Sequence, residues 1–164
     1  MASGKSTIGG QLADSLGMDF YDTDSEISKW KGQTIQEIFA SDGEAKFRSY
    51  EMGMIRFLSS LDKVIISTGG GLAIYNENMK LMLETGIVIF IDVEVSTIAR
   101  RVVDDGNIRP LHNQNKDTVN LEKDIKQRLG DRLTIYTQAH LTISGENSPT
   151  EITSEILSKI RGDY

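Results

Sequence analysis

The 164-residue sequence contains no cysteine and only two histidines, and both scarcities exclude classes of site. Without cysteine there is no disulfide framework, no thiolate metal site and no cysteine nucleophile. The histidines, His112 and His140, are far apart in the sequence and lack metal-ligand spacing. No apolar run approaches the ~20 residues that a membrane span requires, and no signal-peptide pattern opens the chain. We therefore expect a soluble, cytoplasmic protein without a membrane partner.

The sequence also lacks an excess of basic residues. Its formal net charge is −6 and its isoelectric point is near 4.9. Nucleic acid and anionic membranes require a basic face, so neither is an expected partner. A bound nucleotide stays possible because a few local lysines and arginines suffice for it. The length predicts one domain over residues 1–164 with a single sizeable core, and we expect a monomer.

Short apolar runs alternate with helical patterns along the chain. The predicted strands are Asp19–Tyr21, Val64–Ser67, Ile87–Ile91 and Leu141–Ser144. The predicted helices after the first are Ser25–Trp30, Thr34–Ala40, Gly43–Leu61, Asn76–Leu83, Ser96–Val103, Val119–Leu129 and Thr150–Ile160. The middle two strands are apolar throughout, as strands buried on both faces are. This alternation predicts a parallel sheet with helices on both faces.

The segment Ser3–Thr7 reads S-G-K-S-T and corresponds to the end of a phosphate-binding loop. In such a loop Lys5 reaches the β- and γ-phosphates and the Ser6 hydroxyl binds Mg²⁺. The alternative is an exposed polar turn at a helix start. Apolar residues recur at helical spacing behind the loop, and Gly17 closes the run as a C′ glycine does. A phosphate loop leads into a helix N-terminus in the same way.

Two further polar segments follow predicted strands. Asp22 and Asp24 are two positions apart, so an extended backbone would point both carboxylates at one cleft; the alternative is that one of them caps the next helix. Gly69–Gly71 follows the strand Val64–Ser67 directly. Three glycines there allow a close approach to a ligand or a positive φ, and the alternative is a tight exit from the strand.

Three arginines are candidates for binding an anion. Arg48 lies four residues after Glu44 and three before Glu51, and this spacing alone favours an ion pair over a substrate-carboxylate clamp. Arg132 is either a second clamp or a cation near a helix C-terminus. Arg109 lies in the polar segment 104–120, which is predicted to be a lid. Arg109 in a lid would close over phosphates, and the alternative is an exposed loop arginine.

The ordered motifs GKST, FYDTD, GEAKFR, STGGG, RPL and R-x-x-x-Y resemble those of shikimate kinases over nearly the whole chain. The resemblance implies a P-loop, nucleoside-monophosphate-kinase-like fold with three layers, a substrate-binding helical segment at about 25–61 and a lid at about 104–120. It also implies phosphorylation of the 3-hydroxyl of shikimate by ATP with Mg²⁺, within aromatic amino-acid biosynthesis. The alternatives are a kinase of another small polyol acid such as gluconate, and a truncated, non-catalytic homologue.

The resemblance implies a role for each matching residue. The ATP phosphates would contact Ala2, Ser3, Gly4, Lys5, Ser6 and Thr7, with Lys5 catalytic. Mg²⁺ would be bound by Ser6 and Asp22, and adenine would be flanked by Arg101 and Pro149. Shikimate would be bound by Asp24, Arg48, Gly70 and Arg132, with Asp24 accepting the proton and Arg109 closing onto the phosphates.

The sequence departs from the family pattern in three places. Ala2 replaces a usual glycine, which a negative φ at that position would tolerate. Leu133-Thr134-Ile135 replaces a proline-containing segment, which predicts a less rigid loop around Arg132. The strand that precedes a phosphate loop is not in the sequence. We therefore expect a gap between the strands Val64–Ser67 and Ile87–Ile91, and a natural chain that extends upstream by about ten residues.

Overall fold

The structure is a computed structural model that describes residues 2–75, 77–104 and 118–163; the side chains of residues 118–120 and 163 are not described. The strands are β1 (Asp19–Asp22), β2 (Val64–Ser67), β3 (Ile89–Asp92) and β4 (Leu141–Ser144). The helices are α1 (Lys5–Leu16), α2 (Thr23–Lys31), α3 (Ile35–Leu58), α4 (Asn78–Thr85), α5 (Val95–Asp104), α6 (Thr118–Tyr136) and α7 (Pro149–Asp163). A 3₁₀ turn covers Leu72–Ile74.

The four strands form two parallel pairs. In the first pair Asp19 of β1 lies opposite Val64 of β2, and in the second Ile89 of β3 lies opposite Leu141 of β4. The predicted bounds of β2 and β4 are confirmed to the residue. β3 begins two residues later than predicted, because the N–H of Val88 donates to His140 Nδ1 at 3.0 Å and lies outside the ladder.

Helices cover both faces of these strands, as predicted. On one face Ile65, Ile89 and Ile91 pack with residues of α1 and α7. On the other face Phe90 contacts Tyr136 of α6, with ring centroids 5.3 Å apart. Alternate residues of β3 therefore point to opposite helical layers, as the period of a strand requires.

The sheet is divided between β2 and β3. A cavity of about 590 Å³ lies between these two strands, and residues 64–67 and 87–91 line its sides. We call this cavity the slot. In the described part of the chain no strand bridges it, since one sheet contains only β1 and β2 and the other only β3 and β4. The expected gap between these two strands is thus observed.

Local signals explain several helix boundaries. α1 ends at Gly17, which has φ 63° and whose N–H donates to the carbonyl of Ala13. α3 is interrupted at Gly43, where φ is 77° and ψ is 170°, so the two helices predicted on either side of this residue meet at a kink. The N-terminus of α7 is capped by Ser148 and Glu151, which bond each other's backbone N–H groups as a capping box. None of the described helices has both the length and the apolar character needed to cross a bilayer.

Candidate active site

The N-terminus of α1 has the geometry of an anion site. Gly4 precedes the helix with φ 81°, a left-handed conformation that favours glycine. Because Gly4 has no side chain, it does not cap the first N–H groups of α1. Such N–H groups and the positive end of the helix dipole bind phosphate oxygens. Ala2 has φ 46°, so the negative φ at which alanine would replace glycine without strain is not observed.

Ser6, Asp22 and Ser67 meet beside this helix start. The Ser6 hydroxyl donates to Asp22 Oδ2 at 2.7 Å, and the hydroxyls of Ser6 and Ser67 are 3.2 Å apart. Burial raises the pKa of Asp22, but hydrogen bonds from Ser6, Ser25 and Ser67 and the charge of Lys5 together hold it below its ordinary value. The Asp22 carboxylate is therefore charged at neutral pH.

This cluster fits a magnesium ion that also touches phosphate. Mg²⁺ is held by one or two carboxylates, with waters and substrate phosphates in its remaining positions. Asp22 supplies one carboxylate and Ser6 a hydroxyl, at the helix end where phosphate would bind. The described residues contain no group of three or more His, Asp or Glu side chains that could hold a metal by themselves.

Asp22 and Asp24 do not share an extended segment, so the predicted i, i+2 arrangement is wrong. Asp22 ends β1 and caps α2, accepting from the N–H groups of Asp24 and Ser25. This cap starts the helix at Thr23, and Asp24 lies in its first turn. The Thr23 hydroxyl is buried and accepts from the N–H of Gly69 at 2.9 Å, which ties the glycine segment to α2.

Arg48 lies between two glutamates and over an aromatic ring. Its Nη1 donates to Glu51 Oε2 and its Nη2 to Glu44 Oε1, both at 2.7 Å. The guanidinium carbon is 4.3 Å from the ring centroid of Tyr75. The ion-pair interpretation is therefore correct as a contact, although this is not a surface pair: the Arg48 and Glu51 side chains are 11% and 2% exposed.

Glu51 lies beside Asp24 at Gly69, whereas its spacing from Arg48 predicted only an ion pair. Burial raises the pKa of Glu51, and the nearby carboxylates Asp24 and Glu44 raise it further, while Arg48 lowers it; the net direction is upward. The i, i+3 spacing from Arg48 was a signal for contact. It could not indicate that the carboxylate is buried.

Gly69 and Gly71 allow two functional groups to approach the backbone. A Cβ at Gly69 would lie 2.6 Å from Asp24 Oδ1 and 3.1 Å from Glu51 Oε1. A Cβ at Gly71 would lie 2.6 Å from Arg48 Nη1. Neither residue has a positive φ. These side chains therefore approach the backbone closely because residues 69 and 71 have no Cβ, and the predicted alternative of a positive φ is wrong at both glycines.

Arg132 reaches the same segment from α6. It donates to the carbonyl of Gly70 at 3.3 Å, and the hydroxyl of Tyr136 donates to that carbonyl as well. The expectation of a loop around Arg132 is wrong, because α6 continues to Tyr136. Without a proline, Leu133-Thr134-Ile135 keeps the helical hydrogen bonds that a proline would remove.

The remaining predicted site residues are Arg101, Pro149 and Arg109. Arg101 donates to the carbonyl of Ala2 at 3.3 Å and to that of Gly145 at 3.1 Å. Pro149 is the first residue of α7, where its missing N–H costs nothing. Arg109 lies outside the described residues, as does most of the predicted lid.

The site as a whole has an acidic half and a cationic half. Asp24 and Glu51 lie at Gly69, and Arg48 lies at Gly71. Arg132 is near enough to lower the pKa of Glu44, which Arg48 also contacts. Arg48 and Arg132 near the Asp24 carboxylate suit a small carboxylic acid that carries hydroxyl groups. The arginines would bind its carboxylate with matching geometry, and the aspartate would accept hydrogen bonds from its hydroxyls.

Comparisons with known proteins agree with this chemistry. A family model described as shikimate kinase matches residues 1–161. A shikimate kinase from Persephonella marina is 45% identical over 163 residues, covering 98% of this chain and 94% of the relative. The structure of a shikimate kinase from Bacteroides thetaiotaomicron superimposes with a TM-score of 0.92 at 31% identity, covering 98% of this chain and 94% of the other.

A structure of the Acinetobacter baumannii shikimate kinase in complex with shikimate matches with a TM-score of 0.90 at 32% identity, covering 99% of this chain and 89% of the other. A gluconokinase from Sinorhizobium meliloti reaches a TM-score of 0.60 at 16% identity over 98% of this chain and 87% of its own. The latter likeness extends to the fold alone.

Proposed function

The chain belongs to the shikimate kinase family, and from this premise we propose that it transfers the γ-phosphoryl group of ATP to the 3-hydroxyl of shikimate. The family is one of phosphotransferases with an alcohol acceptor, and its kinase activity implies ATP as co-substrate. The observation that carries the proposal is the grouping of Asp24, Arg48 and Arg132 around Gly69–Gly71.

The cationic half of the site accounts for recognition of the carboxylate. Arg48 and Arg132 bind the shikimate carboxylate, and each loses one of its present hydrogen bonds when it donates to the substrate. Arg48 stays oriented by Glu51, because this pair is buried and bonded at 2.7 Å. Arg132 gives up the carbonyl of Gly70, which keeps its bond from Tyr136. The Gly70 carbonyl can then accept a hydrogen bond from a substituent of the substrate ring in place of the one from Arg132.

Asp24 performs the acid–base step in this proposal. Its carboxylate accepts from the substrate hydroxyls and takes the proton of the 3-hydroxyl as that oxygen forms its bond to the γ-phosphorus. The bond from the γ-phosphorus to the oxygen bridging it to the β-phosphate breaks, and ADP leaves with that electron pair. Such transfer depends mainly on positioning and charge stabilisation.

The nucleotide side is proposed to use the N-terminus of α1. Residues Ala2 through Thr7 contact the ATP phosphates, with the N–H groups that follow Gly4 donating to phosphate oxygens, and Lys5 neutralises the transferring phosphate. Ser6, with Asp22 directly or through water, would hold Mg²⁺, which would supply charge neutralisation to the phosphates. Arg101 and Pro149 flank adenine.

The two remaining parts of the proposal concern the lid and the molecule as a whole. Residues of about 25–61 form the substrate-binding segment, and the lid at about 104–120 brings Arg109 onto the phosphates. A single domain, a monomeric state and a cytoplasmic location are proposed with them. Sedimentation tests the monomeric state, since a monomer has a mass of 18.2 kDa.

A coupled assay of ADP release tests the activity. With MgATP, ADP release should require shikimate, and mass spectrometry should detect shikimate 3-phosphate. ADP release that is the same without shikimate contradicts the proposal. Faster turnover of gluconate assigns the protein to the other polyol-acid kinase function, and absence of ATP binding by a folded protein assigns it to the non-catalytic class.

A further inference from the structure

The carboxylate of Glu44 lies in the cationic half of the candidate site. Arg48 donates to Glu44 Oε1 from Nε at 3.2 Å and from Nη2 at 2.7 Å, and the hydroxyl of Tyr75 donates to the same oxygen at 3.4 Å. Arg132 adds a positive charge that is near enough to lower the pKa of Glu44. A protein carboxylate is therefore held by the groups to which the carboxylate of the acceptor is proposed to bind.

Glu44 occupies an edge of the Arg48 guanidinium that suits a carboxylate. The N–H groups of Nε and Nη2 form one edge of the planar fork, which can make two parallel bonds to a carboxylate. Both donate to Glu44, and Nη1 donates to Glu51 at 2.7 Å. A ligand carboxylate that binds through both donors of this edge must therefore replace Glu44.

The two glutamates on Arg48 differ in how easily they can leave it. The Glu51 side chain is 2% exposed, whereas that of Glu44 is 53% exposed. Glu44 is also the first residue after the kink at Gly43. The start of the helical stretch that follows the kink favours a negative charge. Glu44 can thus turn into solvent as a stable anion, while Glu51 would be left as a buried, unpaired charge.

We propose that Glu44 is a placeholder for the carboxylate of the acceptor: it holds the Nε–Nη2 edge of Arg48 while the site is empty and is displaced when the acceptor binds. Tyr75 stays in place during this exchange, because its ring lies 4.3 Å from the guanidinium carbon of Arg48. Its hydroxyl is then available to the incoming carboxylate. The inference rests on the proposed function, since it concerns the same site.

The placeholder makes the site selective for anions. A ligand with a carboxylate replaces the bonds that Glu44 gives up with bonds of the same kind. A neutral ligand offers no such replacement and leaves Arg48 without its charged partner, so it competes poorly. Glu44 therefore lowers the affinity for the correct acceptor and lowers the affinity for uncharged polyols further.

NMR of the Glu44 carboxyl carbon tests the displacement without any turnover. The protein is labelled at the glutamate carboxyl carbons, and the Glu44→Gln spectrum assigns the resonance of Glu44. At neutral pH and without nucleotide, shikimate should shift this resonance as Glu44 passes from Arg48 into solvent. The methyl ester of shikimate keeps the hydroxyl groups and lacks the charge, so it should leave the resonance in place. A Glu44 resonance that does not move in protein saturated with shikimate overturns the proposal.

Calorimetry of Glu44→Gln tests the effect on affinity. An uncharged amide bonds Arg48 more weakly than a carboxylate does. The Kd for shikimate should therefore fall by about three- to tenfold, with a matching fall in its KM and an unchanged kcat. Glu155→Gln is the matched control, because Glu155 forms an exposed i, i+4 ion pair with Lys159 at 3.1 Å on α7. This control should bind shikimate like the parent.

The outcomes separate the placeholder from the proposed function. A folded Glu44→Gln protein that binds shikimate as the parent does, or more weakly, overturns the placeholder and assigns Glu44 to the orientation of Arg48. If Glu44→Gln does not fold, the labelled parent decides the question, with its resonance assigned from Glu44→Asp. A parent that neither binds shikimate nor releases ADP contradicts the proposed function. Acetate then replaces shikimate as the probe: a shift of the Glu44 resonance supports a carboxylate placeholder, and no shift contradicts it.

Discussion

Replacing Gly71 by alanine should impair shikimate binding and leave the fold intact. The new methyl group would lie 2.6 Å from Nη1, 3.1 Å from Cζ and 3.2 Å from Nη2 of Arg48. The backbone at Gly71 has φ −94° and ψ −16°, a conformation that alanine adopts without strain. The guanidinium is the far end of a flexible side chain, so the side chain of Arg48 moves and the backbone does not.

The magnitude follows from the displacement. To regain an ordinary contact, the guanidinium must retreat by roughly 1 Å, and such a misplacement in a site costs up to about a hundredfold. Loss of a hydrogen bond to a charged group costs about 1.5–3 kcal/mol, or about ten- to a hundredfold in affinity. We expect the KM for shikimate to rise by this factor. The KM for ATP and the thermal midpoint should stay close to the parent values.

Gly53→Ala is the matched control. Gly53 lies inside α3, and a Cβ there would meet no atom within 4 Å. Alanine should raise the free energy of unfolding by up to about 1 kcal/mol through helix propensity, with unchanged kinetics. A folded Gly71→Ala protein with the parent's KM for shikimate would refute the reasoning, because the clamp would then tolerate displacement of Arg48.

Four other substitutions probe the site and its support. Arg48→Lys should weaken shikimate binding by about ten- to a hundredfold in calorimetry, and unchanged affinity would favour a purely structural ion pair. Burial raises the pKa of Glu51 above its ordinary value of 4.5 in the folded protein, so the free energy of unfolding should fall as the pH rises from 4.5 through the raised pKa. Glu51→Gln removes this titration and should flatten that part of the curve of unfolding free energy against pH. An unchanged slope would contradict the raised pKa. Ala2→Gly should raise the free energy of unfolding in urea by about 1 kcal/mol, because φ is 46°, and a decrease would show that alanine is not strained there. Tyr136→Phe keeps the ring contact with Phe90 and removes the hydroxyl that donates to the Gly70 carbonyl, so the KM for shikimate should rise about two- to tenfold. A lower free energy of unfolding with an unchanged KM would indicate that this hydroxyl has a structural role only.

Sequence patterns predicted those parts of the fold that local chemistry determines. The strands Val64–Ser67 and Leu141–Ser144 and the glycine cap at Gly17 were identified because apolar runs and a left-handed C′ residue are local signals. The split of the sheet also followed from the sequence. The predicted start of α2 at Ser25 was two residues late, because the Asp22 side chain accepts from the N–H groups of Asp24 and Ser25 and so begins the helix at Thr23.

Contacts between neighbouring residues of the candidate site were easier to predict than the burial of those contacts. The spacing of Arg48 from Glu51 predicted their ion pair, and only the family resemblance placed Arg48 in the site. Burial of the pair depends on the packing of Gly69–Gly71 against α3, which is a tertiary contact. The same packing explains why two of these glycines are needed. Arg132 lies on a helix because α6 continues to Tyr136, past the predicted end at Leu129. Residue propensities over a short polar segment do not determine where a helix ends.

The ties of Arg101 and Tyr136 have a consequence for how ligands influence one another. Arg101 of α5 donates to the carbonyl of Ala2, and Tyr136, whose ring packs on Phe90 of β3, donates to the carbonyl of Gly70; both carbonyls lie in segments proposed to bind a ligand. A ligand that orders either carbonyl therefore also restrains the helix whose side chain contacts it. The two ligands then share one ordering cost, so binding of nucleotide should favour binding of the acceptor, and by thermodynamic reciprocity the acceptor should tighten the nucleotide by the same factor.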